Sequence, residues 1–190
     1  GMIGHYDTYG HADIDSKNAL KDDSIFRIYS MTKAIVSVAL MMLYEEGHFK
    51  LNDPVGQYLP ELATLDVLDR DAAVDGSFGR SPAVGAVTIR HLLTHTSGIG
   101  YRFLGDLGAT PRQRALSELY RGAGIADGLA EYDGTIANLV AALGQLPLMH
   151  EPGTAFTYGL SDDVLGRLVE VLSGDTFEEF LTTQAYDLIE

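Results

Sequence analysis

Ser30 and Lys33 are the residues whose types and spacing could do chemistry. In the stretch Ser30-Met-Thr-Lys33, a helix would place the lysine three residues after the serine on the same face, so that ammonium and hydroxyl become neighbours. A serine hydroxyl is a weak nucleophile at neutral pH and needs an adjacent base and surroundings that tolerate negative charge. The pair therefore predicts nucleophilic catalysis, with Ser30 as nucleophile and Lys33 as base.

The start of a helix would favour this chemistry. Its unpaired N–H groups and its dipole stabilise negative charge on Ser30 and disfavour the protonated form of Lys33, by about 0.3–1 kcal/mol at an exposed site. Residues 34–43 are almost all apolar, which predicts a helix buried on all sides and a lysine with a lowered pKa. The structural alternative is that S-x-x-K occurs by chance and that Lys33 only extends its ammonium from a core helix.

Composition and charge restrict the partners of the chain. With 190 residues and 46% hydrophobic content it could form one globular domain with a core. Its net charge of -14 argues against nucleic acid and anionic membranes as partners. The sequence contains no cysteine, which excludes disulfides, and no apolar run is long enough to cross a bilayer.

The N-terminus bears on localisation. Gly1-Met2 resembles the remnant of a purification tag ahead of a start methionine. No basic region followed by an apolar stretch comes after it, so no signal peptide is visible. We therefore expect a soluble protein of the cytoplasm, with export left open because the natural N-terminus could lie elsewhere.

Two histidines and a glycine pair raise the question of a metal or a cofactor. His91 and His95 have the spacing of a zinc helix, but the glutamate of H-E-x-x-H and a third ligand are missing. Gly122-Ala-Gly124 lacks the strand and the third glycine of a nucleotide loop. We expect no metal and no cofactor, and we interpret the histidines as residues that cap a helix or pin a loop.

The elements around the serine–lysine pair follow from caps, prolines and glycines. Residues 5–10 are predicted as a strand, residues 26–29 as an extended lead-in, and Gly47 as the end of the central helix. A surface loop is expected over residues 66–85. Further helices are predicted at N-terminal caps, namely Asp53, Thr88, Thr110, Thr135, Ser161 and Asp175.

Four stretches of the chain resemble the serine β-lactamase and penicillin-binding-protein superfamily, in its class C-like branch and closest to the family VIII carboxylesterases. They are residues 25–33, Leu51-Asn-Asp-Pro54, Thr88-Ile-Arg-His-Leu-Leu-Thr-His-Thr-Ser-Gly98, and Glu151-Pro-Gly-Thr-Ala-Phe-Thr-Tyr158 running on to residues 163–166. S-x-x-K is itself a motif of these enzymes. The stretches stand in the family's order, which makes the resemblance more specific than S-x-x-K alone.

The resemblance implies a β-lactamase/transpeptidase-like fold of the mixed α/β (α+β) class and a site built on three residues. Ser30 would form an acyl-enzyme, Lys33 would help to deprotonate it, and Tyr158, which matches the tyrosine of Y-x-N, would act as general base and carry the proton to the leaving group. Tyr29 and Ser161 are predicted to contact the substrate. The alternative for Tyr158 is an aromatic residue in the wall of the site.

The sequence departs from the family pattern in two respects. Gly159-Leu-Ser161 follows the tyrosine, so the asparagine of Y-x-N is absent, as we expect of an esterase. The family's third motif, K-T-G, H-x-G or W-x-G, is absent as well. We therefore predict one partial domain over residues 1–190, truncated to a mainly helical domain and the nucleophile helix, with much of the antiparallel sheet missing. It would comprise a strand and the nucleophile helix in 1–50, a helical region in 51–150, and the tyrosine motif with C-terminal helices in 151–190.

Three functions follow from these patterns. The first is a serine hydrolase that forms an acyl-enzyme on Ser30, a carboxylesterase acting on short-chain esters. The second is a relative of β-lactamases or D-alanyl carboxypeptidases, with a small lactam as substrate. The third is a non-catalytic, truncated module that self-associates or binds a partner. A missing sheet would expose the apolar helix over residues 34–43, and a homo-oligomer would cover it.

Overall fold

The computed structural model describes residues 2–107, 110–126 and 132–185. The chain divides into two compact units, Gly1–Ser30 and Met31–Glu190. The regular elements of the described residues are β1 (His11–Asp13), β2 (Asn18–Ala19), α1 (Thr32–Glu45), β3 (Asp66–Leu68), β4 (Arg80–Pro82), α2 (Ile89–Leu93), α3 (Arg102–Asp106), α4 (Pro111–Gly122), α5 (Ile136–Leu143), α6 (Ser161–Ser173) and α7 (Phe177–Phe180). None of these helices combines the length and the hydrophobicity needed to cross a bilayer.

The first unit contains the antiparallel hairpin of β1 and β2, in which Asp13 lies opposite Asn18. The turn between the strands is shaped by the Asp13 carboxylate, which accepts the N–H of Ser16 at 2.9 Å, and by Lys17, whose φ is 54°. The strand predicted for residues 5–10 is wrong. The first strand follows that stretch, because the aspartate turn folds the chain back just beyond it.

Helix α1 buries one face only. Ala39 and Leu40 are fully buried, whereas Val38 is 46% exposed. The buried face packs against α6. The prediction of burial on all sides is therefore wrong, because an apolar sequence does not tell which faces of a helix have partners. The self-association predicted for this helix stays a prediction.

Helix α6 is central to the core of the second unit, where it contacts α1, α2, α5 and α7. Its inward side chains are fully buried: Val164, Leu165, Leu168 and Val169. Complete burial of such a side chain contributes roughly 1.5–3 kcal/mol. This packing fixes the first turn of α6, which follows directly on the tyrosine motif.

Strands β3 and β4 form an antiparallel hairpin in the second unit, with Val67 opposite Ser81. Val67 and Leu68 are buried, and the N–H of Leu68 donates to the carbonyl of Leu148 at 2.9 Å. The surface loop predicted for residues 66–85 is therefore wrong at both of its ends. Three-residue strands are too short for a visible alternation of apolar and polar residues.

Among the described helices, four begin with a capping box, in which a threonine side chain accepts the N–H group three residues later: Thr88, Thr110, Thr135 and Thr176. The starts predicted at the first three threonines are confirmed. The last box lies one residue beyond the predicted Asp175. Ser161 is the first residue of α6 rather than its cap. Gly47, with φ of 84°, follows the end of α1, as predicted.

Candidate active site

Lys33 lies between two tyrosine side chains. It extends from the first turn of α1, and its Nζ donates a hydrogen bond of 2.9 Å to the Tyr101 hydroxyl. The same nitrogen lies 5.4 Å from the centroid of the Tyr101 ring and 5.1 Å from that of the Tyr158 ring, within cation–π range. A further hydrogen bond joins Lys33 to Tyr158. The structure thus brings together two predicted site residues and adds Tyr101, while their roles stay predictions.

The tyrosines set the charge state of Lys33. Burial lowers the pKa of Lys33, but hydrogen bonds and charge interactions with Tyr101 and Tyr158 outweigh it, so the pKa lies above its usual range. The lowered pKa predicted from the sequence is wrong, because both partners are far from Lys33 along the chain. Burial also raises the pKa of Tyr101, an effect that its hydrogen bond with Lys33 opposes. At neutral pH this contact therefore joins an ammonium group to a neutral phenol.

Asp163 adds a carboxylate near this cluster from the first turn of α6. Burial raises the pKa of Asp163 to about 6, although the charge of Lys33 acts in the opposite direction. The neighbouring Asp162 also raises the pKa of Asp163. Asp163 is therefore ionised at neutral pH and protonated in mild acid.

Replacing Asp163 by asparagine is expected to remove a pH-dependent part of the protein's stability. The folded-state pKa of about 6 lies above the ordinary 3.8, so the stabilising contribution is complete below about pH 4 and is lost as the pH rises through 6. Asp163→Asn should therefore flatten the decrease in the free energy of unfolding between pH 4.5 and pH 7.5, by about 2 kcal/mol. Urea denaturation at both pH values measures this.

The exposed Asp175, beyond the end of α6, provides the control. Asp175→Asn should leave the pH dependence of stability as it is in the parent protein. Superimposable pH profiles for the parent and Asp163→Asn would contradict the burial argument.

The segment that carries Tyr158 is fixed by backbone contacts on both sides of the tyrosine. The N–H of Thr157 donates to the carbonyl of His95 at 2.8 Å. On the other side, Gly159 lies so close to the backbone of Gly100 that a Cβ atom would collide with it. A glycine after the tyrosine is therefore required by space.

Leu160 and Ser161 are interior residues. Leu160 stands where the family motif has asparagine, and it is 1% exposed within the apolar core. Ser161 is fully buried, and its hydroxyl forms a hydrogen bond of 3.0 Å with Ser97. This bond joins the start of α6 to the loop after α2. The placement therefore gives no support to the predicted contact between Ser161 and substrate.

Ser30 and Tyr29 lie in the 3-10 segment Tyr29–Met31, directly before α1 in the chain. Both are exposed. Tyr29 has φ of 45°, a left-handed conformation that is uncommon for an aromatic residue and is found most often at turns and functional sites. The roles predicted for Ser30 as nucleophile and for Tyr29 as a substrate contact stay predictions.

The histidines of the H-x-x-x-H spacing have separate structural roles. Nδ1 of His91 accepts the N–H of Thr88 at 3.3 Å and so caps α2, which confirms the capping interpretation. The carbonyl of His95 holds the segment before Tyr158. Among the described residues, no three His, Cys, Asp or Glu side chains lie close enough together to hold a metal ion.

Sequence reasoning missed Tyr101 and Asp163. Tyr101 stands 68 residues from Lys33, and no motif marks it beyond its place after the T-S-G sequence. The acidic start of α6 suits the helix dipole, and Ser161-Asp-Asp163 resembles the S-D-N motif of the class A branch without its amide, but neither pattern indicates a carboxylate beside Lys33. To predict a partly buried carboxylate near a lysine, one has to know how α1 and α6 pack.

Comparison with known proteins identifies the relatives of this chain. Residues 4–189 match the family described as Beta-lactamase. An uncharacterized protein of Mycobacterium tuberculosis is 42% identical over 161 residues, which are 84% of this chain and 36% of that protein. Esterase EstB of Burkholderia gladioli is 36% identical over 174 residues, which are 92% of this chain and 39% of the esterase.

A solved structure shares the fold. EstCE1, described as a hydrolase with promiscuous acyltransferase activity, has a TM-score of 0.72 at 30% identity, and the match covers 95% of this chain and 42% of EstCE1. These matches confirm the predicted superfamily and its β-lactamase/transpeptidase-like fold. The chain spans less than half the length of each of these relatives.

Proposed function

Because the chain belongs to the beta-lactamase family, we propose that it is a serine hydrolase that forms an acyl-enzyme on Ser30 and acts on short-chain carboxylic esters. The observation that carries the proposal is the contact of the Lys33 ammonium with Tyr101 and Tyr158. A permanent charge beside two phenols can stabilise negative charge that develops during acyl transfer. A lysine that only extends its ammonium group from a core helix into solvent would need no such partners.

In acylation, Tyr158 would transfer the proton and Lys33 would supply a fixed positive charge. The Ser30 oxygen attacks the ester carbonyl carbon, and its proton passes to the phenolate form of Tyr158. When the tetrahedral intermediate collapses, the bond to the alkoxide breaks, and Tyr158 returns the proton so that an alcohol leaves. Lys33 keeps its charge throughout and stabilises the phenolate before and after the transfer. The raised pKa of Lys33 supports this role.

Deacylation would reverse the proton path. A water molecule attacks the acyl carbon and gives a proton to Tyr158, which returns it to the Ser30 oxygen as the carboxylic acid leaves. An alcohol in place of water would give a new ester by the same steps. EstCE1 is described as a hydrolase with promiscuous acyltransferase activity, so acyl transfer to an alcohol is a second candidate outcome of the same acyl-enzyme.

Esters are favoured over lactams by one feature of the tyrosine motif. The position of the family's asparagine is occupied by the buried Leu160, which offers no amide group to a lactam substrate. The relatives support the same choice, since one of them is the esterase EstB.

Covalent labelling tests the proposal. A fluorophosphonate should add one adduct to the folded protein, detected by intact mass, and peptide mapping should place it on Ser30. An activated serine reacts, whereas an ordinary hydroxyl does not, so protein unfolded in urea should remain unlabelled. Absence of an adduct, or an adduct on another residue, would overturn the assignment of Ser30 as the nucleophile of this chain.

A further inference from the structure

His95 has a backbone conformation that requires support. Its φ is 52°, in the left-handed region that residues other than glycine rarely adopt. Among the described residues of the second unit, it is the one non-glycine residue with positive φ. Such conformations persist where the surrounding structure holds them, and they cluster at functional sites. Here the conformation directs the carbonyl of His95 to the N–H of Thr157, at 2.8 Å.

The side chain of His95 contacts the tyrosine that follows Thr157. The centroids of the His95 and Tyr158 rings are 4.9 Å apart, with the planes tilted by 53°. Phe156 lies on the imidazole as well, edge to face at 5.9 Å. His95 therefore contacts Phe156 and Tyr158 through its ring, and it binds the N–H of Thr157, which lies between them, through its carbonyl.

Asp162 fixes the imidazole from α6. Its Oδ2 lies 3.2 Å from Nε2 of His95, and the two side chains are only 9% and 15% exposed. Neither this Oδ2 atom nor Nδ1 of His95 has a hydrogen-bond partner among the described residues. A buried polar pair of this kind is costly unless the fold uses its geometry.

We infer that His95, held by Asp162, is the positioning residue for Tyr158. The inference rests on the proposed function, in which Tyr158 carries the proton. The ring of His95 contacts the ring of Tyr158, so we expect His95 to act through the orientation of that ring. A small displacement of a proton-transfer group has a large effect on rate, since a shift of about 1 Å can cost 10²-fold.

Ester kinetics of His95→Asn test the inference. Asparagine tolerates the left-handed backbone but removes the ring that contacts Tyr158. We expect kcat for a short-chain p-nitrophenyl ester to fall about 10-fold to 100-fold, with KM within about twofold of the parent value. Asp162→Asn, which keeps the shape of the side chain, should also lower kcat. If His95→Asn does not fold, the kcat of Asp162→Asn tests the positioning role instead.

His91→Ala is the matched control, because His91 lies on α2, four residues before His95, and supports the cap of that helix rather than Tyr158. It should lower the melting temperature while kcat stays within about twofold. A fall in kcat for His91→Ala as large as that for His95→Asn would overturn the inference, because loss of stability would then explain both.

A measurement of Tyr158 itself separates this inference from the proposed function. NMR relaxation of ring-labelled tyrosine, with the Tyr158 signal assigned by Tyr158→Phe, should show greater ring mobility in His95→Asn. The fully buried Tyr120 should be unaffected. If the parent protein has no ester turnover, the proposed function fails and ring mobility alone decides the positioning role. Unchanged mobility of Tyr158 overturns the inference whether or not the protein turns over esters.

Discussion

Ser30→Ala is expected to abolish ester turnover, with kcat reduced on the order of 10⁴-fold to 10⁶-fold. Removal of the nucleophile of a serine hydrolase leaves only the catalysis that binding and charge stabilisation provide without a covalent intermediate. The methyl group of alanine fits wherever the serine lies, so the loss should come without loss of folding. Hydrolysis of a p-nitrophenyl ester, followed beside the melting temperature, measures both quantities.

Ser24→Ala is the control for this substitution. Ser24 belongs to the same unit of the chain and has a local structural contact, its hydroxyl accepting the N–H of Lys21 at 2.9 Å. It should keep parental turnover. Residual turnover above about 10% in Ser30→Ala would show that hydrolysis comes from another nucleophile or from a contaminant, and the acyl-enzyme on Ser30 would have to be abandoned.

Local chemistry made part of the fold predictable. The starts of α2, α4 and α5 follow from a threonine whose side chain replaces a missing helical partner, and this signal lies within four residues of sequence. Gly47 marks the end of α1 for a similar reason, since positive φ costs glycine little. Such predictions need no knowledge of the rest of the chain.

The features that were missed depend on distant partners. The short helix α3 and the β3–β4 hairpin have no strong periodicity, and the hairpin is held in part by Leu148, far along the chain. The predicted direction of the Lys33 pKa shift was wrong for the same reason. Helix position and burial favour a neutral amine and so lower the pKa, but the contacts with Tyr101 and Tyr158 raise it above its usual range. The motif resemblance found Tyr158 and could not find Tyr101, which belongs to no motif.

The division of labour between the two tyrosines gives a second large effect. Tyr158→Phe is expected to lower kcat by about 10²-fold to 10⁴-fold, the usual contribution of a positioned acid–base group. Tyr101→Phe should lower kcat by less than about 10-fold, because Tyr101 is a half-buried neutral phenol that accepts a hydrogen bond from Lys33 and only helps to hold it. Both variants lose one hydroxyl and keep the ring, so each controls for the other.

The rate of the first turnover distinguishes the two roles most directly. Rapid-mixing measurement of alcohol release reports acylation, the step in which Tyr158 would take the proton from Ser30 and pass it to the leaving group. The defect of Tyr158→Phe should appear there and should be smaller for an ester with a more acidic leaving alcohol, since that alkoxide needs less help from a proton. A larger acylation defect in Tyr101→Phe would reverse the assignment. Tyr101, which accepts the 2.9 Å hydrogen bond from Lys33, would then be the proton carrier, and Tyr158 would be an aromatic residue in the wall of the site.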